Sequence, residues 1–166
     1  MSIVETMSEP ERQSWVTLIA DGLVFIWFWK TIAPGWSLMP RALSPSEAGG
    51  LFLILVIITI FYHAVIGAAF ALRANKDGVE KDERDLEIQS FGARIGYSAL
   101  QIGLGVIIVI ALVTYVAGTD YAPPNVVSSP INLTTPVQFL FALVFLSYVA
   151  DLMRHGVIVA RYRMTA

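Results

Sequence analysis

The chain has 166 residues, of which 56% are hydrophobic and 14% charged, and its net charge is −2. An average soluble domain has about 45–50% apolar and about 25% charged residues, and a small domain leaves much of its surface in water. The composition therefore argues against a water-soluble enzyme and excludes a disordered chain. The absence of cysteine excludes disulfides, thiolate catalysis and cysteine-bound metal centres.

Charged residues occur in blocks, and the segments between the blocks are long and apolar. Residues 48–72 and 95–119 contain no Asp, Glu, Lys or Arg, and residues 121–150 turn from polar to apolar near Pro136. About 20 apolar residues cross the hydrocarbon core of a bilayer as a helix. A weaker candidate near the N-terminus contains Asp21. The predicted spans are about 14–34, 49–73, 93–118 and 136–160.

The spans are predicted to be helices because runs such as LFLILVIITIF do not alternate in polarity as barrel strands do. We expect residues 1–166 to form a single all-α membrane domain, an integral membrane four-helix bundle. The second and third spans are joined by a short charged segment. They are therefore expected to be antiparallel neighbours in the bundle.

The distribution of basic residues predicts the orientation of the chain. Nine of the eleven Lys and Arg lie in the N-terminal arm, around residues 74–92 or in the C-terminal region, whereas the first hairpin has Lys30 and Arg41 and the segment 119–135 has none. The positive-inside rule then places both termini and a cytoplasmic loop at 74–92 inside the cell, with an outer loop at 119–135.

The cytoplasmic loop has the most organised polar sequence in the chain. It carries six acidic residues between Asp77 and Glu87, but it lacks the ligand spacing of a calcium-binding loop, because Arg84 stands where a second ligand is needed. A solvated helical face and a docking surface for a soluble partner both remain open. The candidate docking residues are Asp82, Glu83, Arg84, Asp85 and Glu87.

The segment DERDLEIQSFGARIGYSAL, which runs directly into the third span, resembles an uncharacterised family of small bacterial inner-membrane proteins. The shared pattern is an Asp-Glu-Arg motif, then an isoleucine, then a Gly/Ala-containing segment that leads to an aromatic residue and a membrane helix. The resemblance implies a bacterial cytoplasmic-membrane location and companionship with small helix-turn-helix regulators, and it carries no activity with it. The matching positions are Asp82, Glu83, Arg84, Ile88, Gly92, Arg94 and Tyr97.

Several polar or ionisable residues fall inside the predicted spans, where each is costly and marks a functional hypothesis. Asp151 and Arg154 are spaced to pair on one helix face, and Arg154 could instead bridge Asp151 to Asp21. We favour such an ion-pair cluster, holding the first span to the fourth, over a proton or ion relay. The intramembrane candidates are Asp21, His63, Gln101, Asp151, Arg154 and His155.

The two histidines raise the possibility of haem b with two axial histidine ligands. His63 is predicted near the middle of the membrane and His155 about two turns nearer the inner surface, a difference of roughly 10 Å. A histidine inside the membrane more often forms a hydrogen bond between helices. No cofactor and no metal are therefore expected.

Small residues recur at three- and four-residue spacing in the second and third spans, as in Gly67 and Ala71. Such residues let helix backbones approach closely. Packing within one bundle and self-association are both consistent with the pattern. The packing candidates in the third span are Gly92, Gly96, Ala99 and Gly103.

No catalytic constellation is present in the sequence, because no histidine outside the spans is available to activate a serine. We predict a non-enzymatic inner-membrane protein with an accessory, sensing or regulatory role, which docks a partner through its charged cytoplasmic loop. Its expected partners are the lipid bilayer and a protein or a second copy of the chain, with no direct binding of nucleic acid. The alternatives are an accessory subunit of a larger energy-converting or transport complex, a small proton or ion transporter, and a haem-binding protein.

Overall fold

A computed structural model describes residues 7–33, 41–77, 82–117 and 133–164. Within these ranges the chain is helical and contains no strand, which confirms the all-α prediction. All four helices are long and apolar enough to cross a membrane. They are α1 (Glu9–Ile32), α2 (Pro45–Asp77), α3 (Glu83–Ala117) and α4 (Pro136–Met164).

The helices are longer than the spans predicted from composition. They contain 24, 33, 35 and 29 residues, or about 36 to 53 Å at 1.5 Å per residue, and so exceed the roughly 30 Å hydrocarbon core. Much of the predicted loop 74–92 is helical, because α2 continues to Asp77 and α3 begins at Glu83. The cytoplasmic position of this segment stays a prediction. Most of the predicted outer loop 119–135 lies outside the described residues.

Local side-chain caps define where three of the helices begin. The Ser8 hydroxyl accepts from the backbone N–H of Glu11 at the start of α1. At α2, the hydroxyl of Ser44 accepts from the backbone N–H of Glu47 at 3.3 Å, and the Glu47 carboxylate accepts from the Ser44 backbone at 2.9 Å. At α4, the Gln138 side chain accepts from the Thr135 backbone N–H at 3.0 Å, and the Thr135 hydroxyl accepts from the Gln138 backbone N–H at 3.3 Å. Such capping boxes satisfy helical N–H groups that have no intrahelical partner.

Helices α1 and α4 lie in the middle of the molecule, with α2 packed on α1 and α3 packed on α4. The residues that meet across each of these interfaces show that the packed pairs are antiparallel. The termini end is defined here as the end where α1 begins and α4 ends, and the other end is called the opposite end. The prediction that the second and third spans are neighbours is wrong, because α1 and α4 lie between them.

The glycines of α3 explain why it packs on α4. A Cβ atom added at Gly92 would lie 2.3 Å from the Ile158 side chain and 3.0 Å from the Arg154 carbonyl oxygen, and one at Gly103 would lie 2.1 Å from the Leu146 side chain. Gly96 makes a similar close approach, and Ala99 in the same stripe is partly buried. The small residues of the third span therefore serve packing within the chain.

The opposite end is held together by an aromatic cluster at its centre. Phe28 on α1 has 1% of its surface exposed, and its ring lies 5.9 Å from that of Phe52 on α2 and 5.7 Å from that of Phe141 on α4. Phe28 therefore joins three helices. The aromatic cluster consists of Phe25, Phe28, Trp29, Phe52, Phe141, Phe145 and Tyr148.

The two outer helices expose long apolar surfaces. Within its most apolar window, α2 has 6% of its residues buried inside the protein and α3 has none. An exposed apolar face of this extent is costly in water and normal in lipid. The surface is therefore consistent with a multi-pass membrane protein in contact with a bilayer.

Candidate functional site

A row of polar side chains follows the buried side of α1 from the termini end to the middle of the helix. Glu11, Ser14, Thr17 and Asp21 are spaced by three, three and four residues, which places them on one helix face. Each has 7% or less of its surface exposed. These four residues are called the polar face. They lie where α1 is packed between α2 and α4.

Asp21 is the most deeply buried member of the polar face, with 1% of its surface exposed. The Tyr62 hydroxyl of α2 donates a hydrogen bond to Oδ1 of Asp21. His63, the next residue on α2, has its Nε2 atom 4.0 Å from the same oxygen. The other carboxylate oxygen, Oδ2, is buried and accepts no hydrogen bond. Asp21 thus connects α1 to α2 and has one oxygen still available.

A second polar contact lies between this site and the aromatic cluster. The hydroxyl oxygens of Thr59 on α2 and Tyr148 on α4 are 2.6 Å apart. Thr59 also donates to the Leu55 carbonyl at 2.8 Å, so Tyr148 is the donor in the contact with Thr59. Tyr148 belongs to the aromatic cluster as well. The polar and aromatic regions therefore meet at its side chain.

The ionisable residues of α4 face the same region. Asp151 is close enough to Asp21, His63 and Arg154 for their charges to interact. Within the part of the chain that the structure describes, no salt bridge of 4.0 Å or less joins Arg154 to a carboxylate. The alternative bridge from Arg154 to Asp21 is therefore not formed, and Asp21 contacts Tyr62 and His63 of α2 instead. Asp151 and Arg154 are near each other, as their spacing predicts, without forming a salt bridge of 4.0 Å or less.

Arg154 and Asp151 instead line a groove of about 330 Å³ between α3 and α4, together with Gly96 and Ser147. His155 is partly buried, and its Nδ1 atom has no hydrogen-bond partner. Gln101 lies on α3 with an exposed side chain. Five of the six intramembrane candidates thus lie in and around one region, and Gln101 is apart from them.

The described residues contain no group of three or more His, Cys, Asp or Glu side chains placed to hold a metal ion. His63 directs its Nε2 atom toward Asp21. The expectation that the protein carries neither haem nor another cofactor stays a prediction.

Ion pairs fasten the termini end of α1 to both of its neighbours. Arg73 of α2 contacts the Glu9 carboxylate at 2.9 Å, and Arg163 of α4 contacts the Glu11 carboxylate at 2.9 Å. Both arginines are partly exposed, with 55% and 40% of their side-chain surface accessible. The polar face therefore begins at a solvent-accessible boundary.

The candidate docking residues at the start of α3 fall into two groups. Asp85 accepts a hydrogen bond from the Tyr162 hydroxyl of α4 at 2.7 Å. Glu87 lies 3.5 Å from Arg161 of α4, which also stacks over the ring of Phe91. These contacts fix the first turns of α3 against α4. The side chains of the other three, Asp82, Glu83 and Arg84, are exposed.

The hydroxyl-bearing residues around Asp21 were not predicted from the sequence, because an aromatic residue or a threonine in a membrane span is usually a packing residue. They are Tyr62, Thr59 and Tyr148. Ser14 and Thr17 were not predicted either. The spacing of the polar face was available as a signal, since four polar residues on one side of an otherwise apolar helix indicate a face that avoids lipid.

A scan of protein-family models, a search of curated proteins and a search of solved structures each found no match to this chain. The resemblance carried by Asp82–Tyr97 therefore stays a prediction.

Proposed function

We propose that this protein is a non-enzymatic, multi-pass protein of the bacterial cytoplasmic membrane that docks a soluble partner at the start of α3. In this proposal both chain termini and the start of α3 lie in the cytoplasm. The bias of Lys and Arg toward the termini end supports that orientation. In this proposal the protein has an accessory, sensing or regulatory role, and its partner carries the effector activity.

The single observation that supports docking is the way the start of α3 is presented. Asp85 and Glu87 are engaged by Tyr162 and Arg161 of α4, so the first turns of α3 are held in place. Asp82 and Glu83 at the tip are not buried by these contacts and remain exposed. A fixed backbone that displays exposed charge loses little conformational entropy on binding.

The charge of the tip indicates the chemistry of the partner. Two carboxylates at the N-terminal end of a helix, followed by Glu87 with 76% of its side chain exposed, favour a protein with a basic surface. Because the contact is charged and exposed, we expect an association that is fast and weakened by salt.

The test begins with photo-crosslinking in cells. A photoreactive amino acid is placed at Asp82, and in a separate protein at Ala42, an exposed position at the opposite end. We expect a discrete adduct from position 82 that position 42 does not give. The adduct is identified by mass spectrometry, and the partner is then purified for binding measurements with the full chain in detergent.

The decisive variant reverses charge without touching the contacts between α3 and α4. The double substitution Asp82→Lys and Glu83→Lys should reduce affinity for the purified partner at least several-fold, whereas Ser46→Lys at the opposite end should leave it unchanged. Deleting residues 77–88 is a poorer test, because it also removes Asp85 and Glu87. Unchanged binding by the double variant, or the same adducts from positions 82 and 42, would contradict the proposal.

A further inference from the structure

Asp21 is buried among helices that the protein places in a membrane, with 1% of its surface exposed. A buried carboxylate needs a counter-charge or a proton, because an isolated charge in a low-dielectric environment is strongly unfavourable. In the described part of the chain, no Lys or Arg side-chain nitrogen lies within 4.0 Å of an Asp21 carboxylate oxygen. The basic group that approaches it is His63, whose Nε2 atom is 4.0 Å from Oδ1.

A histidine supplies a counter-charge only when it holds a second proton. The pair formed by Asp21 and His63 is therefore electrically neutral when it carries one added proton, either on the carboxylate or on the imidazole. Oδ1 of Asp21 already accepts a hydrogen bond from Tyr62. Oδ2 is buried and has no partner, so it is the oxygen that is free to receive the proton.

The other titratable and charged groups facing this region do not remove that requirement. On α4, Asp151 is close enough to Arg154, His63 and Asp21 for their charges to interact, so a second carboxylate faces Asp21 and increases the need for a proton there. Tyr148 directs its hydroxyl proton to Thr59 of α2, and His155 lies on α4 next to Arg154 with an unpartnered Nδ1 atom. A metal ion is a poorer fit than a proton, since the described residues form no cluster of three such ligands.

We propose that Asp21, paired with His63, is a reversible binding site for one proton, which reaches it from the termini end along the polar face of α1. Binding forms an O–H bond at Oδ2 and a neutral carboxylic acid. Release returns the proton to water at the termini end, and no group is oxidised or reduced. This site is independent of the docking surface at the start of α3.

The two sides of Asp21 differ in a way that determines the direction of access. Toward the termini end, the polar face provides the hydroxyls of Thr17 and Ser14 and then the carboxylate of Glu11, whose partner Arg163 is partly exposed. A hydroxyl group both donates and accepts hydrogen bonds, so it can pass a proton. The Thr17 hydroxyl donates to the Gln13 carbonyl at 3.0 Å and must rotate away from it to take part. Toward the opposite end, the space is filled mainly by the phenylalanine rings of the aromatic cluster, which neither donate nor accept hydrogen bonds, and the Tyr148 hydroxyl is already engaged with Thr59.

The test is pH-difference infrared spectroscopy of the full chain in phosphatidylcholine vesicles. Acidification should produce a carboxylic-acid C=O band that is lost in Asp21→Asn and retained in Glu47→Gln, an exposed control. Circular dichroism checks that each variant is folded. If Asp21→Asn does not fold, Tyr62→Phe provides the second test, because removal of its hydrogen bond to Oδ1 should shift both the frequency and the titration midpoint of the same band.

The route of access is tested by hydrogen–deuterium exchange of that acid proton. Thr17→Val removes a hydroxyl from the polar face and should slow the exchange several-fold without reducing the band, whereas Thr31→Val, on the same helix at the opposite end, should not. The proposal is overturned if no titrating band depends on Asp21, if its band is constant with pH, or if both threonine variants exchange at the wild-type rate.

Discussion

The buried face of α1 changes character along its length, and its two halves stabilise the protein differently. The half at the termini end is the polar face, whereas the half at the opposite end carries Phe28 and Ile32, which are almost fully buried. In lipid, helices gain little from hiding apolar surface and associate through close contact and hydrogen bonds. The aromatic half gains from contact area, while the polar half depends on hydrogen bonds and ion pairs to offset the cost of burying its polar groups.

This difference indicates a division of roles. The aromatic cluster holds α1, α2 and α4 together at the opposite end. The polar face keeps ionisable groups inside the protein, at a cost in stability that a purely structural helix would avoid.

Phe28→Ala should be the most destabilising of these substitutions, because Phe28 contacts Phe52 and Phe141 on two other helices. Such a truncation costs about 3–5 kcal/mol in a water-soluble core. We expect about 2–3 kcal/mol here. In lipid, the lost ring contacts still reduce stability, whereas burial of the ring gains no free energy from the transfer of apolar surface out of water. Reversible unfolding in mixed micelles measures the change, with Leu23→Ala, exposed on the same helix, as the control. An equal loss in both variants would show that the aromatic cluster is not special.

Gly92→Ala should reduce the free energy of unfolding by about 1–3 kcal/mol, as overpacking does in other cores. The new methyl group would meet the Ile158 side chain and the Arg154 carbonyl oxygen, and a backbone atom moves less readily than a side chain. Gly105→Ala on the same helix meets nothing within 4 Å. It should therefore be neutral or slightly stabilising. Similar losses from the two glycines would contradict the packing of α3 on α4.

Tyr162→Phe should loosen the start of α3 at the termini end. It removes the hydrogen bond to Asp85, at a cost of about 1 kcal/mol. Amide hydrogen exchange across residues 83–88 should become faster than in the wild-type protein. Tyr97→Phe, which removes an exposed hydroxyl from α3, is the matched control. Faster exchange in Tyr97→Phe but not in Tyr162→Phe would be the opposite of what we expect.

Tyr148→Phe should have the smallest effect, although it lies where the two halves meet. It removes the hydrogen bond to Thr59 and keeps the ring contacts. Hydrogen bonds between membrane helices contribute about 0.6 kcal/mol on average. A loss larger than that of Phe28→Ala in the same unfolding assay would show that polar contacts, and not aromatic packing, hold the opposite end together.

The number of helices and the packing role of Gly92 and Gly103 could be predicted from the sequence, because both depend on local composition and spacing. The order of the helices could not, since it depends on which faces of distant segments fit. The partners of Asp21 were missed for the same reason. Successive residues of a helix are rotated by about 100°, so the choice between Tyr62 and His63 as a direct contact requires the rotation of α2 about its axis.

In the proposed orientation, the polar half of α1 lies toward the cytoplasm and the aromatic half toward the outside. The natural chain has no cysteine, so single-cysteine labelling tests this directly. Asp82→Cys at the termini end and Ala42→Cys at the opposite end are both exposed positions. In intact cells, a membrane-impermeant maleimide should label the cysteine at position 42 and should reach the one at position 82 only after the membrane is disrupted. Labelling of position 82 in intact cells would contradict the account.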